Sequence, residues 1–118
     1  MRKVLLGLVC LLPVVLVGCR RLAAPPPTFQ GKIEVTGSAG TISYIIYYDP
    51  TTPTTTLNNV ALPWTHTFTA TQYQGTEVYA GTAQSISPIT ITIYSNGSPV
   101  ATNTANTDSS YAHTFWIY

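Results

Sequence analysis

The chain has 118 residues, 45% hydrophobic, 11% aromatic and only 8% charged. That is room for one domain, and too little charge for a long solvated helix or a charged disordered tail. Four of the five bases (Arg2, Lys3, Arg20, Arg21) fall in the first 21 residues, and from Gly31 onward Lys32 stands alone against Glu34, Asp49, Glu77 and Asp108, a balance of −3. A nucleic-acid binder needs a basic face to neutralise phosphates, so no nucleic-acid partner is expected.

Met1-Arg2-Lys3 is a short positive segment, and residues 4–17 are apolar apart from Gly7 and Pro13. The run is shorter than the ~20 residues of a membrane-spanning helix, and Pro13 would break a helix near its middle. It fits the hydrophobic region of a secretory signal. It ends in Leu16-Val17-Gly18-Cys19, which resembles the lipobox of bacterial lipoproteins. The resemblance implies that residues 1–18 are a cleaved lipoprotein signal peptide, that the Cys19 thiol is acylated (diacylglycerol and palmitate-type chains), and that Cys19 opens the mature chain. The alternative is an uncleaved signal-anchor with Cys19 an ordinary cysteine. Two or three acyl chains, at ~0.8 kcal/mol per buried CH₂, hold a protein on a membrane stably. The expected location is therefore the cell membrane or outer membrane, lipid-anchored and extracytoplasmic, with the membrane itself as first partner. With Cys10 in the signal and Cys19 lipidated, the remaining chain has neither disulfide nor thiolate metal site. Residues 19–30 read as a lipidated tether. Its Pro25-Pro26-Pro27 favours an extended polyproline conformation, and Arg20-Arg21 would sit at the headgroups.

From residue 31 the apolar residues alternate with period two, the signature of strands; 20 threonines and 8 tyrosines fit the same structure. Strands are expected at 32–36, with Ile33 and Val35 on one face, and at 41–49, where Ile42, Tyr44, Ile46 and Tyr48 form the better apolar row against Ile45 and Tyr47. Both faces of the second being apolar makes it a central strand. Residues 50–59 read as a polar loop. Further strands are expected at 64–71 (Trp64, His66, Phe68, Ala70 against four threonines), 76–81, 88–95 (Ile89, Ile91, Ile93 inward), 99–104 and 110–118 (Ala112, Thr114, Trp116 opposite Tyr111, His113, Phe115, Ile117). Asn96-Gly97 between the fifth and sixth tolerates the two positive φ angles of a type I′ hairpin turn. The adjoining Ser98 completes a formal glycosylation sequon that the turn explains better. About seven short strands make residues 31–118 an all-β domain, an immunoglobulin-like antiparallel β-sandwich; a small barrel is the alternative.

The chemistry-bearing residues are few. No nucleophile elbow, phosphate loop or dinucleotide fingerprint is present, so neither an enzyme nor a cofactor is expected. No two carboxylates are close in sequence, although a fold could bring Asp49 and Glu77 together as a glycosidase-type pair. His66 and His113 could form a two-histidine metal site, but a third ligand is not placed nearby by sequence; they read first as hydrogen-bonded strand histidines, and no metal site is expected. The tyrosines read either as sandwich core or as a binding face, since Tyr supplies rigid amphipathic contact area. Tyr47, Tyr79 and Tyr94 lie opposite the better apolar rows and are the candidate partner-binding aromatics. The threonine ladders at 65–71 and 90–92 read as a solvated sheet face.

The order Val35-Thr36-Gly37-x-x-Gly40-Thr41-x-x-x-Ile45-x-Tyr47, then Leu62-Pro63-Trp64, then Ile91-Thr92-Ile93-x-x-Asn96-Gly97, resembles the soluble domain of the MmpS family. Members of that family are small membrane-anchored proteins of mycobacteria and relatives, accessories to large RND-type exporters of lipids and siderophores. The resemblance implies an exported β-sandwich with an envelope transporter or other membrane protein as partner. The chain departs from the family in two places. A lipobox stands where a transmembrane helix is usual, and Ile91 and Trp116 stand where the family carries a cysteine pair. The function expected is a transport accessory or binding module of the cell envelope; the alternative is a structural or adhesive surface module.

Overall fold

The computed structural model describes residues 23–82, 88–105 and 111–118; the signal segment, Cys19 and Arg20-Arg21 lie outside the described residues. Eight strands are present: β1 (Thr28–Gly37), β2 (Thr41–Asp49), β3 (Thr52–Ala61), β4 (Trp64–Thr71), β5 (Gly75–Gly81), β6 (Ile89–Ser95), β7 (Ser98–Ala105) and β8 (Tyr111–Ile117). They form two four-stranded antiparallel sheets, ordered β4-β1-β6-β7 and β3-β2-β5-β8. The sandwich is the fold the alternation implies. Its strand order is its own, since β1 lies inside one sheet, between β4 and β6.

The core lies between the sheets. Ile33 and Val35 of β1 and Ile89, Ile91 and Ile93 of β6 meet Ile45, Val78, Ala80 and Ala112 from the second sheet, all almost fully buried. Burying each of these isoleucines and valines is worth about 1.5–3 kcal/mol, which is how a disulfide-free domain of this size holds together. Ile91 and Trp116 both pack into this core, on β6 and β8, which contact each other across the sandwich. The β6–β7 hairpin turns at Asn96 (φ 49°) and Gly97 (φ 82°), the two left-handed residues of the expected turn. Asn96 also ties β1 in: its Oδ1 accepts from the Gln30 amide at 2.8 Å, and its own amide donates to the Gln30 carbonyl.

Two sequence expectations need correction. Residues 52–61 are not a loop but an edge strand, paired with β2 from Thr41↔Ala61 to Asp49↔Thr52. Its threonines and asparagines hid it, because an edge strand with one solvated face needs few apolar residues. The facing of β2 is also reversed from Tyr44 onward: Ile45, Tyr47 and Asp49 point into the core, while Tyr44, Ile46 and Tyr48 point outward. Ile42 nevertheless joins the core. The alternation breaks between Ile42 and Tyr44, beside Asn59 of β3 with its φ of 51°.

Candidate functional site

β2, β5 and β8 are adjacent, and their outward residues line up in rows across the sheet. One row is Tyr48–Glu77–Phe115, the next Ile46–Tyr79–His113, the next Tyr44–Gly81–Tyr111. Four of these outward groups, counting Ile117 beyond the first row, are large, apolar and open to solvent: Tyr48 (37% exposed), Tyr111 (52%), Phe115 (61%) and Ile117 (60%). A Cβ at position 81 would displace the Tyr44 ring, which lies where it would stand.

A polar cluster sits inside this aromatic face. Glu77 Oε1 accepts hydrogen bonds from Tyr79 Oη at 2.9 Å and from His113 Nε2 at 2.8 Å. Since the carboxylate can only accept, Nε2 is the protonated ring nitrogen. The His113 and Tyr79 hydrogen bonds hold the Glu77 carboxyl below its ordinary range, and the same carboxylate pushes the Tyr79 phenol up. Tyr79 and His113 stack with centroids 4.2 Å apart and planes 9° from parallel. Glu77 is therefore ionised and one-third exposed, flanked across the strands by Tyr48 and Phe115.

The outer face of the other sheet is different. It carries Thr65, Thr67 and Thr69 of β4, Lys32, Glu34 and Thr36 of β1, Thr90, Thr92 and Tyr94 of β6, and Thr102 and Thr104 of β7. It is the solvated threonine face read from the sequence. Tyr94 donates to Glu34 Oε1 at 3.0 Å, and Lys32 Nζ lies 4.0 Å from the Tyr94 ring centroid and 3.8 Å from Glu34.

A second histidine–carboxylate pair bridges the two sheets. Asp49 of β2 is fully buried at its side chain, and His66 Nε2 of β4 donates to its Oδ2 at 2.7 Å. Thr51 donates to Oδ1 from its amide and hydroxyl. Burial pushes the Asp49 carboxyl up, but the hydrogen bonds from Thr51, His66 and Thr52 outweigh it, and the group ends below its ordinary range. Tyr47 packs on His66 and Trp64, with centroids 4.7 and 5.2 Å away. Nearby, Tyr118 packs on Phe29 and Phe68 and donates to the Tyr94 carbonyl. Burial, and then the charge of Asp49, push its phenol up to about 12. A shallow hollow at the β2–β3 turn is lined by Asp49 together with Tyr48 and residues 50–54, but the buried carboxylate does not open into it.

The three candidate aromatics are thus separated. Tyr79 stands on the aromatic face and Tyr94 on the threonine face, each half-buried. Tyr47 is not exposed; it is 7% accessible and belongs to the core, because the inner face of β2 must match Trp64 and His66 of β4. Asp49 and Glu77 lie on opposite faces of one sheet; His66 points between the sheets from β4, while His113 stands on the outer face of the other sheet, on β8. Among the described residues no three histidine, cysteine or carboxylate groups converge. The sequence reading missed Tyr44, Tyr48, Glu77, Tyr111, His113 and Phe115 as one surface. The available signal was the parity of 110–118, where Tyr111, His113, Phe115 and Ile117 alternate with small or buried residues.

Residues 14–115 match the family described as Mycobacterium membrane protein. The chain belongs to that family. The match spans most of the chain and supports the MmpS-like reading of the sandwich. No curated protein matches the sequence. Among the described residues no helix is long and apolar enough to cross a membrane.

Proposed function

We propose that this chain is a lipid-anchored, extracytoplasmic lipoprotein that acts without chemistry of its own as an accessory module of an envelope membrane complex. A large RND-type exporter is the partner that the MmpS resemblance implies. Cys19 carries the anchor and residues 19–30 the tether, so the sandwich works close to the bilayer. Membership of a membrane-protein family supports this reading.

The observation that carries it is the outer face of β2, β5 and β8. A soluble domain gains nothing by holding Tyr48, Tyr111, Phe115 and Ile117 in water on one face, around a polar cluster; large apolar groups exposed together mark an interaction site. Crosslinking of the tagged protein in native membranes, followed by identification of what co-purifies, tests it. A multi-spanning membrane protein should be recovered, and should be lost with Cys19→Ala and with Phe115→Asp. Recovery of the chain alone, or of wall material, would reject the accessory role.

The structural or adhesive reading has one observation of its own. The β4 edge, Trp64–Thr71, carries no Lys, Asp, Glu or Pro among its eight residues, and an unguarded edge can accept another strand. Self-crosslinking through β4 in the same experiment would favour it.

A further inference from the structure

We propose that Glu77, between Tyr48 and Phe115, is a receptor for a cationic side chain, an arginine or lysine presented by the docking partner. The inference rests on the docking reading of this face and names what the face recognises.

The molecule contains its own precedent. On the threonine face a tyrosine donates to a glutamate (Tyr94 to Glu34), and the group is completed by a cation, Lys32, that lies over the ring and near the carboxylate. On the aromatic face the same tyrosine–glutamate pair recurs as Tyr79 and Glu77. Among the described residues this face holds no Lys or Arg, and none follows Lys32 in the sequence. What closes Glu77 instead is the His113 N–H, a ring donor in the place where the other face has the Lys32 ammonium.

The surroundings suit a cation better than a neutral ligand. Tyr48 and Phe115 face Glu77 directly from the neighbouring strands, one on either side, at the cross-strand spacing of roughly 5 Å. Aromatic residues on both sides of a carboxylate are the elements that bind ammonium and guanidinium groups, through ring quadrupoles and a charge-assisted hydrogen bond. Glu77 is the sole Asp, Glu, Lys or Arg among the described residues of this face, so charge complementarity selects a positive partner. Arginine is also enriched at the centres of protein interfaces.

The test uses the full chain in detergent micelles, titrated with a hexa-arginine peptide and, separately, with an uncharged hexasaccharide, followed by backbone amide NMR shifts. The peptide should produce saturable shifts centred on residues 48, 77, 113 and 115. Glu77→Gln should weaken it about tenfold and Phe115→Ala about fivefold, the size of a carboxylate contact and of a cation–aromatic contact, with thermal midpoints close to wild type. Glu34→Gln, on the opposite face, should leave it unchanged. Undiminished binding by Glu77→Gln, shifts centred on Lys32 and Glu34, or binding of the saccharide alone would each overturn the inference. If the peptide fails while membrane crosslinking still depends on Phe115, the cation receptor falls and the docking role stands. If the peptide binds as stated while crosslinking ignores Phe115, the docking role falls.

Discussion

The two outer faces of this sandwich use the same small device for opposite ends. Each places a tyrosine hydroxyl on a glutamate, but one adds Lys32 and surrounds the group with threonines, while the other adds His113 and surrounds it with exposed rings. The first is satisfied internally and faces water. The second leaves a charged carboxylate, one-third exposed, among aromatic rings that are themselves open to solvent. A histidine–carboxylate pair likewise appears twice, once sealed between the sheets at Asp49 and once open at Glu77. Chemistry alone does not separate structural from functional groups here; burial and neighbours do.

Substitutions on either side of this contrast test it. The largest effect is expected from deleting residues 115–118. That removes the end of β8 together with Tyr118, which bonds Gln74, Tyr73 and Tyr94 and packs on Phe29 and Phe68; circular dichroism should show no cooperative melt. A truncated chain that melts like the parent would show that the β8 end is dispensable.

Asp49→Asn comes next. Removing one partner of a buried pair that also takes two hydrogen bonds from Thr51 should cost about 2–3 kcal/mol, which lowers the melting temperature by roughly 10–20 °C. The acid limb of stability reports the same group. The folded-state carboxyl sits below the ordinary value of 3.8, so ionised Asp49 favours the folded state above that value. The contribution is then lost as pH falls through the lower folded value. Urea midpoints measured downward from about pH 5 should fall in wild type and flatten in Asp49→Asn.

The outer pair should behave otherwise. Glu77→Gln and Phe115→Ala should each change stability by less than about 1 kcal/mol, as exposed ion pairs and surface side chains do, while both diminish partner crosslinking. A large loss of stability in either would make the aromatic face structural. Smallest of all, Thr67→Ser on the threonine face should leave stability within about 0.5 kcal/mol and crosslinking untouched.

The alternation of single elements was enough to place much of the fold. The isoleucine row of 89–93, the threonine row of 65–71 and the Asn96-Gly97 turn stand where their pattern puts them, since each has one apolar face and one polar face and only one way round. β2 and β3 resisted for the converse reason. Both faces of β2 are apolar, so parity alone could not choose between them, and β3 lacks apolar contrast because it is an edge. What orients β2 is the demand of β4, where Trp64 and His66 require Tyr47 and Asp49 opposite them.

By itself, then, the amino-acid sequence determined an all-β chain with a charge-poor, cysteine-free body and a threonine-covered sheet. Only the tertiary structure decided which tyrosines are buried, which carboxylate meets which histidine, and that Tyr48, Glu77 and Phe115 share a row. Alternation within a strand is a local property, set by the pleat. Register and facing between strands distant in sequence follow from packing the two sheets together, and that packing is where the candidate site is made.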